Sequence, residues 1–110
     1  MSADSKTYTH EPFVLVAEQD GVRTLTLNRG DRFNPLSSDM IAALDAALTD
    51  AGANGSVRAI VIAANGRGFC AGHDLKEMRG KASDKAWQRR LFDACSRMMM
   101  RLTELPQPVI

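Results

Sequence analysis

Apolar positions along the chain fall into short periodic stretches separated by polar, glycine-bearing punctuation. Phe13 to Ala17 and Val22 to Asn28 are apolar and β-branched, and Asp20-Gly21 lies between them as a turn pair. The pattern predicts a hairpin of two antiparallel strands. "GDRFNPLSSD" then collects Gly30, Asn34, Pro35, Ser37 and Ser38, loop chemistry running into helix-capping residues, so a helix should start near Ser38. Met40, Ile41, Leu44, Leu48 and Ala51 recur at helical spacing, Asp39 sits in the first turn and Gly52 marks the stop. "VRAIVIAA", Val57 to Ala64, is a continuous apolar run of strand length, the pattern of a strand buried on both faces.

The longest helical signal runs from Asp84 to Leu105, with Trp87, Leu91, Cys95, Met98, Met99, Leu102 and Leu105 along one stripe. The methionines at 98 to 100 read as core packing rather than a cofactor box, because methionine fills irregular gaps. Pro106 and Pro108 end this helix, and "PVI" reads as the start of a further strand, on which the chain stops. The opening "MSADSKTYTHEP" has acids and no apolar run, so it fits neither a secretory signal nor a transit peptide. The expected organisation is a loose arm over 1–12 and one α/β unit over 13–110, without internal repeats.

Composition narrows the function classes. A chain of 110 residues with 45% apolar and 25% charged residues makes at most one domain of ordinary globular character. Lys and Arg total 14 against 13 Asp and Glu, a balance of +1 that gives no general electrostatic case for nucleic acid or an anionic membrane. No apolar stretch approaches the roughly 20 residues of a membrane span. A soluble, cytoplasmic chain is expected, with Cys70 and Cys95 as reduced thiols.

The chemistry concentrates in "NGRGFCAGHDLKEM", Asn65 to Met78. A buried strand leading through a glycine-rich loop into a short helix leaves main-chain amides unpaired, and such amides can hold an anion or an oxygen that becomes negative during reaction. Glycines at 66, 68 and 72 permit positive φ and close approach of a ligand to the backbone. "GRG" lacks the third glycine of a dinucleotide fingerprint, and the Lys-Ser/Thr of a P-loop is absent. Cys70, His73 and Asp74 have metal-capable side chains but no second cluster. A Cys70 nucleophile paired with His73 has nothing to orient the histidine. A plain turn joining strand to helix stays open beside the anion site.

These residues resemble a known family. "NRGDRFNPLS" before a helix, then "AIVIAANGRGFCAGHDLKEM", then a long helix ending in "LPQPVI", is similar to the amino-terminal half of the enoyl-CoA hydratase/isomerase (crotonase) superfamily, over nearly all of Phe13 to Ile110. The resemblance implies an α/β, crotonase-like (ClpP/crotonase) spiral of repeated strand-strand-helix units, assembled as a homotrimer or hexamer. It implies an acyl-CoA thioester as substrate, with coenzyme A as part of that substrate and no covalently bound cofactor.

The residue after the motif glycine, here His73, would donate its backbone N–H to the thioester oxygen. A second N–H from a later "GGG"-type loop would complete the oxyanion hole. Arg32, Phe33 and Pro35 would line the coenzyme A path, and Ala71, Gly72, His73, Asp74 and Leu75 would contact the adenine and pantetheine through main chain. Arg29, Arg32 and Lys76 are candidate partners for the nucleotide phosphates, and Asp74 is expected to cap the short helix. None of Asp74, Glu77 or Glu104 matches the family's general acids and bases. Two residues depart from the family's pattern: Pro35 and His73 each stand where many relatives have alanine.

Overall fold

Three strands and a helix make the frame, and a computed structural model describes residues 11–110. Strands β1 (Val14–Gln19) and β2 (Val22–Leu27) pair antiparallel from Val14↔Leu27 to Gln19↔Val22. Asp20 (φ 54°) and Gly21 (φ 82°) both take the left-handed conformation that a two-residue hairpin turn demands. Helix α1 (Ser38–Ala53) crosses over to strand β3 (Ala59–Ala64), which lies parallel to β2 with Val22↔Ala59 and Leu27↔Ala64 as end pairs. The sheet order is β1-β2-β3.

Alternation on β2 sends Arg23, Leu25 and Leu27 inward, and Leu25 and Leu27 share a core with Met40, Ile41, Leu44 and Leu48 of α1. Arg23 is a buried cation inside this layer. Its Nε and Nη2 donate to Glu18 Oε1 at 3.0 and 2.8 Å, and Nη1 donates to Asp50 Oδ2 at 2.7 Å. The hydrogen bond with Glu18 is the foremost cause raising the guanidinium's pKa, with burial opposing it. Two carboxylates therefore compensate a charge that would otherwise be costly to desolvate, and the clip joins both strands to the end of α1.

After β3 the chain forms the short helix α2 (Leu75–Gly80) and the long helix α3 (Lys85–Glu104). Leu91 and Met98, seven residues apart on α3, complete the core over α1. Beyond α3, Ile60 N–H donates to Pro108 O, Ile62 N–H to Ile110 O and Ile110 N–H to Ile60 O, at 2.8–2.9 Å. The expected strand over "PVI" thus begins alongside β3.

Several expectations change. The run from Val57 is strand only from Ala59, and β3 is not buried on both faces: Ile60 is buried while the other five residues are half-buried. The reason is that α1 covers one face, and among the described residues no second layer covers the other. Gly52 does not stop α1, which ends at Ala53 with Asn54 as its C-cap. The tip of Leu105 closes over Gly52, where a Cβ would stand 2.5 Å from Leu105 Cδ2. Met99 leaves the buried stripe and is 45% exposed, with Met100 at 55%, since each step beyond Met98 turns the side chain about 100° round the helix. Residues 1–10 of the expected arm lie outside the described residues. Glu11 and Pro12 are tied down through their carbonyls, which accept from Arg29 and Asn28.

Candidate functional site

Two loops meet at the ends of β2 and β3. The first, Asn28 to Ser37, turns sharply at Phe33 (φ 62°) and Asn34 (φ 51°), two consecutive left-handed residues that are not glycine. Asparagine tolerates that conformation, and here the fold also uses its side chain. Asn34 is fully buried, accepts from Arg29 N–H at 2.7 Å, and donates through Nδ2 to Asn65 O at 2.9 Å and Gly68 O at 3.0 Å. One amide therefore holds both loops. At the same junction the backbones of Gly30 and Gly66 touch: a Cβ on Gly66 would stand 2.6 Å from Gly30 Cα.

The second loop carries the motif. Ala71 N–H donates to Phe33 O (3.0 Å), Leu36 N–H to Gly72 O (2.7 Å) and Asp74 N–H to Leu36 O (3.3 Å). Leu36 and His73 form a one-residue parallel bridge. In such a pairing Leu36 bonds to both neighbours of His73, so the N–H of His73 itself points to the far side. Among the described residues no acceptor takes that N–H. Gly72 makes the approach possible with φ at 90°, and a Cβ on Gly72 would meet nothing within 4 Å.

Below the amide, Asp74 caps α2 as expected, its Oδ1 accepting from Lys76 N–H and Glu77 N–H, both at 3.1 Å. Glu77 accepts from Ser38 N–H (2.9 Å) and Ser38 Oγ–H (2.6 Å), placing a carboxylate on the amino end of α1, whose own cap is Ser37. The His73 ring stands edge-on to Phe92 of α3, centroids 5.4 Å apart. Its Nδ1 is buried without a partner. Cys70 is exposed and Cys95 half-buried, both free, and burial first, then the Cys70 charge, pushes the Cys95 thiol up. Among the described residues no Cys70–His73 hydrogen bond forms, and no group of three or more His, Cys, Asp or Glu could hold a metal ion.

The predicted residues divide between two places. Arg32, Pro35 and Asp74 line a cavity of about 750 Å³ together with Glu11, Asp31, Asp39 and Glu77. Phe33, Ala71, Gly72, His73 and Leu75 do not line it. Phe33 is exposed and packs on Gly68, where a Cβ would stand 2.8 Å from its ring. Gly68 thus admits an aromatic neighbour, and its φ is not positive, against expectation. Leu75 is 72% exposed. Arg29 is not a free phosphate partner: it donates to the carbonyls of Glu11, Pro12 and Asn28 and stacks 3.7 Å over Phe13. Arg32 and Lys76 are exposed. A second cavity, about 430 Å³ between α1 and α3, contains none of the predicted residues.

Asn34, Glu77 and Phe92 are the site's supports that sequence reasoning did not single out. Asn before Pro in a glycine-bearing loop was a usable signal for a left-handed residue. No local signal pairs Glu77 with Ser38 or Phe92 with His73.

A family model described as enoyl-CoA hydratase/isomerase matches residues 22–110. The mitochondrial enoyl-CoA hydratase domain-containing protein 3 of Danio rerio is 40% identical over 111 residues, covering 100% of this chain and 36% of that protein. The 1,2-epoxyphenylacetyl-CoA isomerase of Escherichia coli K12 is 36% identical, covering 89% and 38%. The crystal structure of an enoyl-CoA hydratase from Mycobacterium smegmatis superposes with a TM-score of 0.84 at 48% identity, covering 90% of this chain and 38% of that one. The chain thus spans little more than a third of these relatives' length.

Proposed function

The chain belongs to the enoyl-CoA hydratase/isomerase family and carries the amino-terminal portion of the crotonase-like fold; from that premise we propose that it binds an acyl-CoA thioester and supplies one donor of an oxyanion hole. The donor is the main-chain N–H of His73. The single observation that carries the reading is the Leu36–His73 bridge, which holds the segment by its neighbours and leaves the His73 amide without an acceptor among the described residues.

In the reaction this reading implies, charge accumulates on the thioester oxygen as the acyl group becomes an enolate. A fixed N–H stabilises that oxygen more than the starting carbonyl, and a donor of this kind contributes about 2.7–4 kcal/mol to the transition state. The hydrogen bonds that set the amide form before substrate arrives, so little reorganisation accompanies the step.

A second reading, an acyl-CoA-binding role without catalysis, is favoured by one observation. The two carboxylates nearest the amide are both engaged, Asp74 in capping α2 and Glu77 on Ser38.

His73→Pro tests the first reading. It removes the N–H without removing a bond of the bridge, and Gly72 ahead of it tolerates the ring's demands. Crotonyl-CoA hydration, followed by loss of the enoyl thioester absorbance, should fall about a hundred- to thousandfold, with calorimetry measuring acyl-CoA binding in parallel. Unchanged turnover and affinity would refute the assignment. Binding without turnover, in a protein that carries the whole of the crotonase-like fold, would select the second reading.

A further inference from the structure

Helices α1 and α3 leave a groove between them. Ile41 and Leu91 are buried in its floor, but Ala42 and Ala46 of α1 and Ala94 of α3, which also line it, carry side chains that end at Cβ. Ala42 and Ala46 stand four residues apart, on one face of their helix. Side chains this short do not fill the space, and a cavity of about 430 Å³ remains, with Trp87 as its aromatic wall. Neither His73 nor any residue of the two loops that set its amide lines this cavity.

Charge around the groove is uneven. Arg90 and Arg97 both line it and are exposed, two turns and therefore about 10 Å apart along α3. Among the described residues neither makes a salt bridge, whereas Arg23 and Arg101 are each paired with carboxylates. Asp45, the carboxylate that lines the groove, accepts from Arg101 Nε at 2.6 Å, and the Ser38 hydroxyl donates to Glu77. The charged groups left for a ligand are two guanidinium ions. The chain as a whole carries a net charge of only +1, so this positive excess is local.

An apolar floor with nothing packed on it lacks the dispersion contacts that a hydrocarbon would supply. A guanidinium presents a planar fork of donors that matches a carboxylate. The volume falls among small-molecule pockets, roughly 300–1,000 Å³, rather than the long grooves that seat a partner's helix. We propose that the groove between α1 and α3 is a second binding site and takes an amphipathic carboxylate. Its aliphatic chain lies over Ala42, Ala46 and Ala94, and its carboxylate accepts from Arg90 or Arg97. The proposal does not rest on the acyl-CoA reading, since the groove shares no residue with the thioester contacts.

Trp87 makes the groove observable, because its emission responds to what fills the cavity it lines. The full-length protein, carrying the whole of the crotonase-like fold, is titrated with decanoate and with 1-decanol, which differ in the head group alone. Decanoate should change the emission and bind about tenfold more tightly than the alcohol. Trp87→Phe should abolish the emission change. The double variant Arg90→Gln with Arg97→Gln should bring the two affinities within about twofold of each other. Ala46→Leu, which fills the groove, should weaken both ligands about tenfold. Saturating crotonyl-CoA should leave decanoate binding unchanged. No decanoate binding, equal affinity for acid and alcohol, or a preference that survives the double arginine variant would overturn the proposal. Displacement of decanoate by crotonyl-CoA would overturn it as well, by placing the carboxylate in the thioester site.

Discussion

The sheet with α1 and the segment from Asn65 to Gly80 are held in place by different forces. Around α1, Leu25, Leu27, Met40, Ile41, Leu44, Leu48 and Ile60 are all at most 4% exposed and pack on one another. From Asn65 to Gly80 no residue is buried. That segment is positioned by hydrogen bonds: the Asn34 amide, the three main-chain bonds around Leu36, and the Glu77–Ser38 pair. Apolar burial is strong but undirected, and hydrogen bonds are weaker but fix angles. A frame can be built by the first, and an amide that must point at one oxygen needs the second.

The comparison makes separable predictions. The largest effect belongs to the frame. Leu48→Ala, in a fully buried position, should lower global stability by about 2–5 kcal/mol in urea unfolding, and the loss should appear equally in every probe of the fold. Asn34→Ala comes next, at about 2–3 kcal/mol, because it removes three hydrogen bonds and leaves alanine at φ 51°. Its signature is local: amide exchange at Ala71 and Asp74 should quicken well before that of Leu44 and Leu48. Equal acceleration in both regions would break the distinction. Asp74→Ala should cost the least, about 1 kcal/mol for a lost cap, seen as fraying of α2 with the bridge at Leu36 intact.

Much of the frame was legible before any coordinates. The apolar, β-branched run from Val22 to Asn28 and the helical spacing from Met40 to Ala51 are properties of neighbouring residues, and each strand or helix answers to them directly. Where one face of an element lacked a covering layer, as along β3 and at Met99, the same patterns overstated burial. The site was less legible. Gly52 looked like a helix stop and Gly68 like a positive-φ residue that lets a ligand approach, and both prove to be places where a distant side chain comes close. Arg29 looked like a surface cation and is engaged by the carbonyls of Glu11 and Pro12.

By itself the sequence determined the order of strands and helices, the hairpin at Asp20-Gly21, the capping residues ahead of α1 and α2 and the motif that marks the family. All of these depend on residues within a few positions of one another. Tertiary structure alone decided which way the His73 amide points, that Asn34 joins its own loop to carbonyls 31 and 34 residues further along, and that Glu77 closes on Ser38 across 39 residues. The physical reason is that a hydrogen bond is a statement about distance and angle between two atoms. Where those atoms lie far apart in the chain, only the packing of everything between them brings them within reach.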